Sequence, residues 1–131
     1  MTEYLTFERL VEINREVTKI SGDPHTVQNE SNLRHVLEAV RYKYEGNPEA
    51  VLLKAAYLLF MLAGKAHAFT EGNKRTAVTS TIAFLHLNGY RIDTAEQEEL
   101  VNFVLELASG KHSLTRAEKW LGKRVKKRVQ D

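Results

Sequence analysis

The chain has 131 residues, 43% of them hydrophobic, and a formal net charge of +2. That length suits one domain, and that apolar content can bury a core, which argues against wholesale disorder. There is no cysteine, so disulfides, thiolate zinc sites and cysteine nucleophiles are excluded.

Met1 to Leu5 show no basic segment leading into an apolar run, so no signal peptide is expected. Phe7, Leu10, Val11, Asn14, Val17 and Ile20 keep a helical spacing that Gly22 and Pro24 interrupt. Leu33, Val36, Leu37, Val40 and Tyr44 repeat that spacing, with Gly46 as the stop. Asn47-Pro48 reads as a cap followed by proline at the first position of a third helix. That helix is apolar nearly all round through Leu52, Ala56, Leu59, Phe60 and Ala63, which predicts a place at the centre of the domain. The apolar run from Val51 to Ala63 contains Lys54 and is too short to span a membrane. A cytoplasmic protein with no membrane partner is therefore expected.

A fourth helix is predicted from about Asn73 to Leu87, terminated by Asn88-Gly89. Tyr90-Arg91-Ile92 reads as an extended link. Thr94 with Gln97 has the form of a capping box ahead of Leu100, Val101, Val104, Leu105 and Ala108. Thr115 with Glu118 suggests a last helix carrying Trp120 and Leu121. No repeat, low-complexity tract or linker divides the chain. The expected fold is a compact all-α single domain over residues 1–131, with about six helices and a basic tail at 119–131.

That tail is the main charge asymmetry. Residues 1–118 hold 13 Lys/Arg against 16 Asp/Glu, whereas Lys119 to Arg128 hold six cations and no anion. Such a tail can touch nucleic acid, but a solvated final helix with cations at its negative end is the plainer reading. Only Trp120 supplies an aromatic there, so nucleic acid is not the expected partner.

One segment carries chemistry. Between the two central helices lies His67-Ala68-Phe69-Thr70-Glu71-Gly72-Asn73-Lys74-Arg75-Thr76. A loop ending in Gly-Asn at a helix start offers unpaired backbone N–H groups at the positive end of the helix dipole. Lys74 and Arg75 add cations where the dipole disfavours them, so a bound anion explains them better than helix stability does. Glu71 is a hard oxygen ligand suited to a magnesium ion bridging phosphates. His67 can take a proton from an attacking hydroxyl, since the ordinary imidazole pKa is near neutrality. Phosphoryl transfer asks mainly for positioning and charge neutralisation, and this set supplies both. Each residue alone has a plainer role: His67 as a helix-end cap, Glu71 as a solvated acid, Asn73 as a cap, and Phe69 as a core anchor for the loop.

The ordered combination resembles the signature of the Fic/Doc family, H-x-F-x-[DE]-[GA]-N-[GK]-R, and matches it at every defined position. The Gly22-Asp23-Pro24 turn, the apolar helix before the motif, and Phe84-Leu85 with Asn88-Gly89 after it look like the Doc branch. The resemblance implies an all-helical fold with the motif between two central helices. It implies His67 as general base and Glu71 as magnesium ligand. Gly72, Asn73, Lys74 and Arg75 would surround the phosphates, and Phe69 would anchor the loop. ATP would be the co-substrate with Mg²⁺.

Family members resembling H-P-F-x-[DE]-G-N-G-R-x-x-R transfer AMP to a protein hydroxyl, whereas Doc transfers the γ-phosphate. Lys74 stands where that pattern has its second glycine, Val78 where it has its second arginine, and Ala68 where it has proline. These departures point to Doc-like phosphate transfer to a Ser or Thr hydroxyl, with translation elongation factor Tu as the target class. Gly72 keeps AMP transfer open, because Doc-like motifs often carry alanine there. The resemblance also implies an antitoxin whose C-terminal segment occupies a surface groove. The inhibitory pattern [ST]-x-x-x-E-[GN] is not completed at Thr26–Glu30, which continues with Ser31, nor at Thr94–Glu98, which continues with Glu99. A non-catalytic binding module is the alternative from another class.

Overall fold

The computed structural model describes residues 1–22 and 26–129. Asp23 and Pro24 of the anticipated turn thus lie outside the described residues, although Gly22 closes the first helix with a φ of 76°. The elements are α1 (Phe7–Ser21), α2 (Glu30–Tyr42), α3 (Ala50–Gly64), α4 (Asn73–Leu87), β1 (Tyr90–Arg91), α5 (Thr94–Ala108), α6 (Leu114–Gly122) and β2 (Lys126–Lys127). This is the all-α architecture expected from the periodicity. No helix among the described residues is long and apolar enough to cross a membrane.

The apolar spacing decides the packing. Helix α3 lies at the centre and meets α2, α4, α5 and α6, while α4 also meets α1 and α5. Ala55, Ala56, Leu58, Leu59 and Leu62 of α3 are buried on several sides, as an all-round apolar helix requires. The connection between the two central helices, residues 65–72, is therefore held from both ends by the core.

Lys54 is buried at the middle of this apolar surface. Its Nζ donates to the carbonyls of Val40 at 2.5 Å and Arg41 at 2.9 Å, and lies 5.1 Å from the Tyr4 ring centroid. The ammonium thus satisfies carbonyls that the end of α2 leaves open, where the helix dipole favours a cation. Lys54→Met keeps most of the aliphatic volume and strands those carbonyls. It is expected to lower unfolding free energy by about 1–3 kcal/mol, read by urea denaturation. A change below about 0.5 kcal/mol, as at an ordinary surface site, would show that these bonds contribute nothing net.

Several boundaries differ from the sequence expectations. Helix α3 begins at Ala50 rather than at Pro48; Asn47 still acts as a local cap, its Oδ1 accepting from the Glu49 N–H at 2.8 Å. Asp93, not Thr94, is the N-cap of α5, and Gln97 donates its side chain to the Ile92 carbonyl at 2.8 Å. Ser113 caps α6 by accepting from the Arg116 N–H, two residues ahead of the anticipated Thr115.

The tail is not a continuing solvated helix. α6 stops at Gly122, and Lys126–Lys127 pair antiparallel with Tyr90–Arg91, making that link a strand. Lys126 bonds the Asp93 carboxylate at 2.9 Å, and Arg128 donates to the His86 carbonyl at 3.0 Å. Arg124 lies 3.9 Å over the Trp120 ring and reaches the Glu96 and Glu99 carboxylates at 3.0 and 3.1 Å. Part of the basic tail therefore serves to dock the chain end across α4 and α5.

Candidate active site

The segment from His67 to Arg75 is shaped by its neighbours on both sides. Ala66 and Ala68 are buried, and His67 between them is exposed with a φ of 46°. A non-glycine residue in the left-handed region is sparsely populated and persists only where its surroundings fix it. Here they do. The Asn32 amide donates to the Ala66 carbonyl at 2.7 Å, and the N–H groups of Gln28 and Asn29 both donate to the Ala68 carbonyl. Val27 and Phe69 form an antiparallel bridge, and the Thr70 N–H donates to the Thr26 carbonyl at 3.0 Å. The Thr26 and Thr70 hydroxyls lie 2.6 Å apart.

Phe69 is 1% exposed, sunk in the core beneath the loop. Asn73, the first residue of α4, closes the loop above it. Its Oδ1 accepts from the Phe69 N–H at 3.0 Å, and its Nδ2 donates to the Phe69 carbonyl at 2.8 Å. The side chain expected beside phosphates is thus engaged with the loop main chain, so Asn73 acts on the loop's shape.

Gly72 is the N-cap of α4 with a φ of 79°. Two separate constraints select glycine there. An L side chain is disfavoured at that φ, and a Cβ would lie 2.8 Å from Thr18 Cγ2 and 3.2 Å from Asn14 Nδ2. Gly72→Ala is accordingly expected to cost about 1–3 kcal/mol through overpacking against α1. Thr18→Ser, made in addition, should recover part of that loss because it removes the clashing methyl. Equal midpoints for wild type and Gly72→Ala in urea would contradict this packing account.

Arg75 points to the end of α1, where its guanidinium donates to the Val17 carbonyl at 3.0 Å and the Ser21 hydroxyl at 2.8 Å. The negative end of α1 therefore explains part of its placement at the start of α4, which a bound anion alone was expected to explain. Lys74 and Glu71 are exposed, and no ion pair engages either among the described residues. No acceptor among the described residues takes the N–H groups of Gly72, Asn73 or Lys74. A lysine, open N–H groups and the positive end of a helix dipole thus meet at one turn.

That turn forms the end wall of a cleft of about 510 Å³. Glu71 to Arg75 supply its polar end, and Val17, Ile20, Val78, Val101, Val104 and Leu105 its apolar sides. The cleft thus brings together five of the seven anticipated site residues; His67 and Phe69 do not line it. Apolar walls with a few convergent polar groups at one end suit a ligand with an apolar part and an anionic group. Among the described residues, no group of three or more His, Asp or Glu is arranged to hold a metal by itself. Glu71 still fits magnesium, which commonly takes one carboxylate together with phosphate oxygens and water.

Two contributors escaped the motif reading. Asn32 supports the loop from α2, and Asn14 supports it from α1 with bonds to the Glu71 carbonyl and the Thr76 hydroxyl. The visible signal for Asn14 was a polar residue at an apolar-spaced position of α1.

A family model described as the Fic/DOC family matches residues 4–85, a stretch that contains the whole loop. The chain is also similar to Toxin Doc of Mycolicibacterium smegmatis (strain ATCC 700084 / mc(2)155), with 46% identity over 55 residues. That alignment takes in 39% of this chain and 42% of the relative's length. With the family match spanning most of the helical core and the loop it supports, the chain belongs to the Fic/DOC family.

Proposed function

We propose that this protein is a Fic-type transferase that moves the γ-phosphate of ATP to a Ser or Thr hydroxyl of a target protein, acting as the toxin of a toxin–antitoxin pair. The observation that carries the reading is the motif turn at the polar end of an otherwise apolar cleft. The nucleoside would occupy the apolar part, and the phosphates would meet the N–H groups of Gly72 to Lys74 and the Lys74 ammonium. Arg75, at the same turn, would add charge to the phosphate site. Magnesium, held by the Glu71 carboxylate and phosphate oxygens, would neutralise charge on the phosphate chain. His67 would accept the proton as the target hydroxyl attacks the γ-phosphorus. The new bond is hydroxyl oxygen to phosphorus, the broken bond is the β–γ bridge, and ADP leaves.

Two side chains favour γ-phosphate over AMP transfer. Lys74 places a long side chain where AMP-transferring relatives have glycine, and Val78 lines the cleft where they have a second arginine. Gly72 gives little support to the other side, because its φ and the approach of Thr18 account for it without reference to a nucleotide. A translation elongation factor Tu is the target class that the Doc resemblance suggests. The similarity to Toxin Doc supports an antitoxin partner.

The test incubates the protein with ATP, Mg²⁺ and purified elongation factor Tu, followed by mass spectrometry of the factor. A phosphate increment on a Ser or Thr supports the proposal. An AMP increment replaces it with nucleotidyl transfer. No increment on this factor or on any protein of a bacterial lysate overturns the enzymatic reading in favour of a binding module.

A further inference from the structure

Asn14 sits on the inner face of α1, with 0% of its surface exposed. Its Nδ2 donates to the Glu71 carbonyl at 2.8 Å and to the Thr76 hydroxyl at 3.1 Å. One amide group therefore spans the end of the loop and the first turn of α4. The glycine between them is pressed against the same helix, since a Cβ on Gly72 would meet Thr18 and Asn14. Thr18 is fixed in turn, its hydroxyl donating to the Asn14 carbonyl at 2.7 Å.

Stability alone gives a poor account of this asparagine. No protein donor among the described residues reaches its buried Oδ1, and an unpaired buried polar atom costs free energy that an apolar side chain avoids. What asparagine supplies and leucine does not is the Nδ2 donor. The consequence is directional. The Glu71–Gly72 peptide is trans, so its C=O and N–H point in opposite directions. Holding the carbonyl toward α1 turns the Gly72 N–H away from α1.

We infer that Asn14 is a positioning residue for the motif turn: by holding the Glu71 carbonyl against α1, it sets the orientation of the Gly72 N–H at the start of α4. The kinetic part of this inference rests on the transfer reading above; the geometric part does not. Asn14 touches no reacting atom and acts through the Glu71–Gly72 peptide.

The test compares Asn14→Leu, which removes the donor, with Thr76→Val, which removes the second acceptor and leaves the Glu71 bond in place. Two readouts are taken on the full chain: amide hydrogen exchange, and steady-state transfer kinetics with ATP and Mg²⁺. The Thr76 N–H, bonded to the Gly72 carbonyl at 2.8 Å, reports on the turn. In Asn14→Leu it should exchange at least ~10-fold faster while the amides of α2 keep their protection, the pattern of a local opening. The kcat should fall ~10–100-fold with KM for ATP changed far less, because a small misplacement of a positioning group slows the reaction more than it weakens binding. Thr76→Val should stay near wild type in both.

Wild-type exchange and turnover in Asn14→Leu would overturn the inference. So would equal effects of the two substitutions, or a loss of protection that extends to α2, since each assigns Asn14 to packing. Should Asn14→Leu not fold, Asn14→Ala removes the donor without adding apolar bulk, with the same expected result. If the wild type transfers nothing, the transfer reading fails, and the exchange comparison alone decides whether Asn14 sets the turn.

Discussion

His67→Ala is expected to lower the rate of transfer from ATP by about 10²–10⁴-fold, the usual contribution of a positioned general base. Stability should hardly change, within about 0.5 kcal/mol as at other surface sites without special contacts. The reason is local. The ring is exposed, and no hydrogen bond engages it among the described residues. Alanine also carries a Cβ, so the φ of 46° is disfavoured before and after the change. Activity and urea denaturation of the same preparation separate the two possibilities. An unfolded or strongly destabilised variant would make His67 a structural residue, and unaltered transfer would remove it from the chemistry.

Phe69→Ala is expected to produce the reverse pattern, a large loss of stability with the loss of activity following from it. The ring is fully buried under the loop, and the Phe69 main chain both donates to and accepts from the Asn73 side chain. Removing a buried phenyl ring costs about 3–5 kcal/mol through lost burial and the cavity left behind. That is a large part of the 5–15 kcal/mol typical of a whole domain. Phe69→Leu should retain most of the stability, since it refills much of the volume. Similar urea midpoints for wild type and Phe69→Ala would mean that the loop is held by its hydrogen bonds alone, to Ala66, Ala68, Thr70 and Asn73.

The helical fold was legible because many of the periodic apolar positions are buried, although Ile20, Val101 and Leu105, read on the same spacing, are exposed. Leu10, Leu33, Val36, Val40, Leu59, Leu100 and Val104 all lie in the core. The motif loop was legible because its residue types are unusual for a connector between two apolar helices. Helix starts were harder to read, since Thr94 and Thr115 each satisfy the local capping pattern. Asp93 takes the place of Thr94, its carboxylate held by Arg91 and Lys126, the second of them 33 residues away in sequence. The strand pairing of Tyr90–Arg91 with Lys126–Lys127 is equally non-local, and two residues show no period at all. Asn14 illustrates the same limit within the site. Spacing places it on the inner face of α1, but its partner is 57 residues further along the chain.

Arg75 is informative for another reason. Two adjacent cations at a helix start suggested an anion, yet one of them is bonded to the end of α1. The phosphate reading therefore leans more on Lys74 and the open N–H groups of the turn. Docking of the basic tail across β1 and α5 similarly gives several of its cations a structural role.

The most direct test of the account is a nuclear magnetic resonance titration of the isotope-labelled protein with ATP and Mg²⁺. The amide signals of Gly72, Asn73 and Lys74 should move first and furthest. The methyl signals of Val78, Val101 and Leu105 should move with them, because the same cleft joins these residues. No change at saturating nucleotide, or changes confined to the basic tail from Lys123 to Arg128, would contradict a phosphate site at this turn.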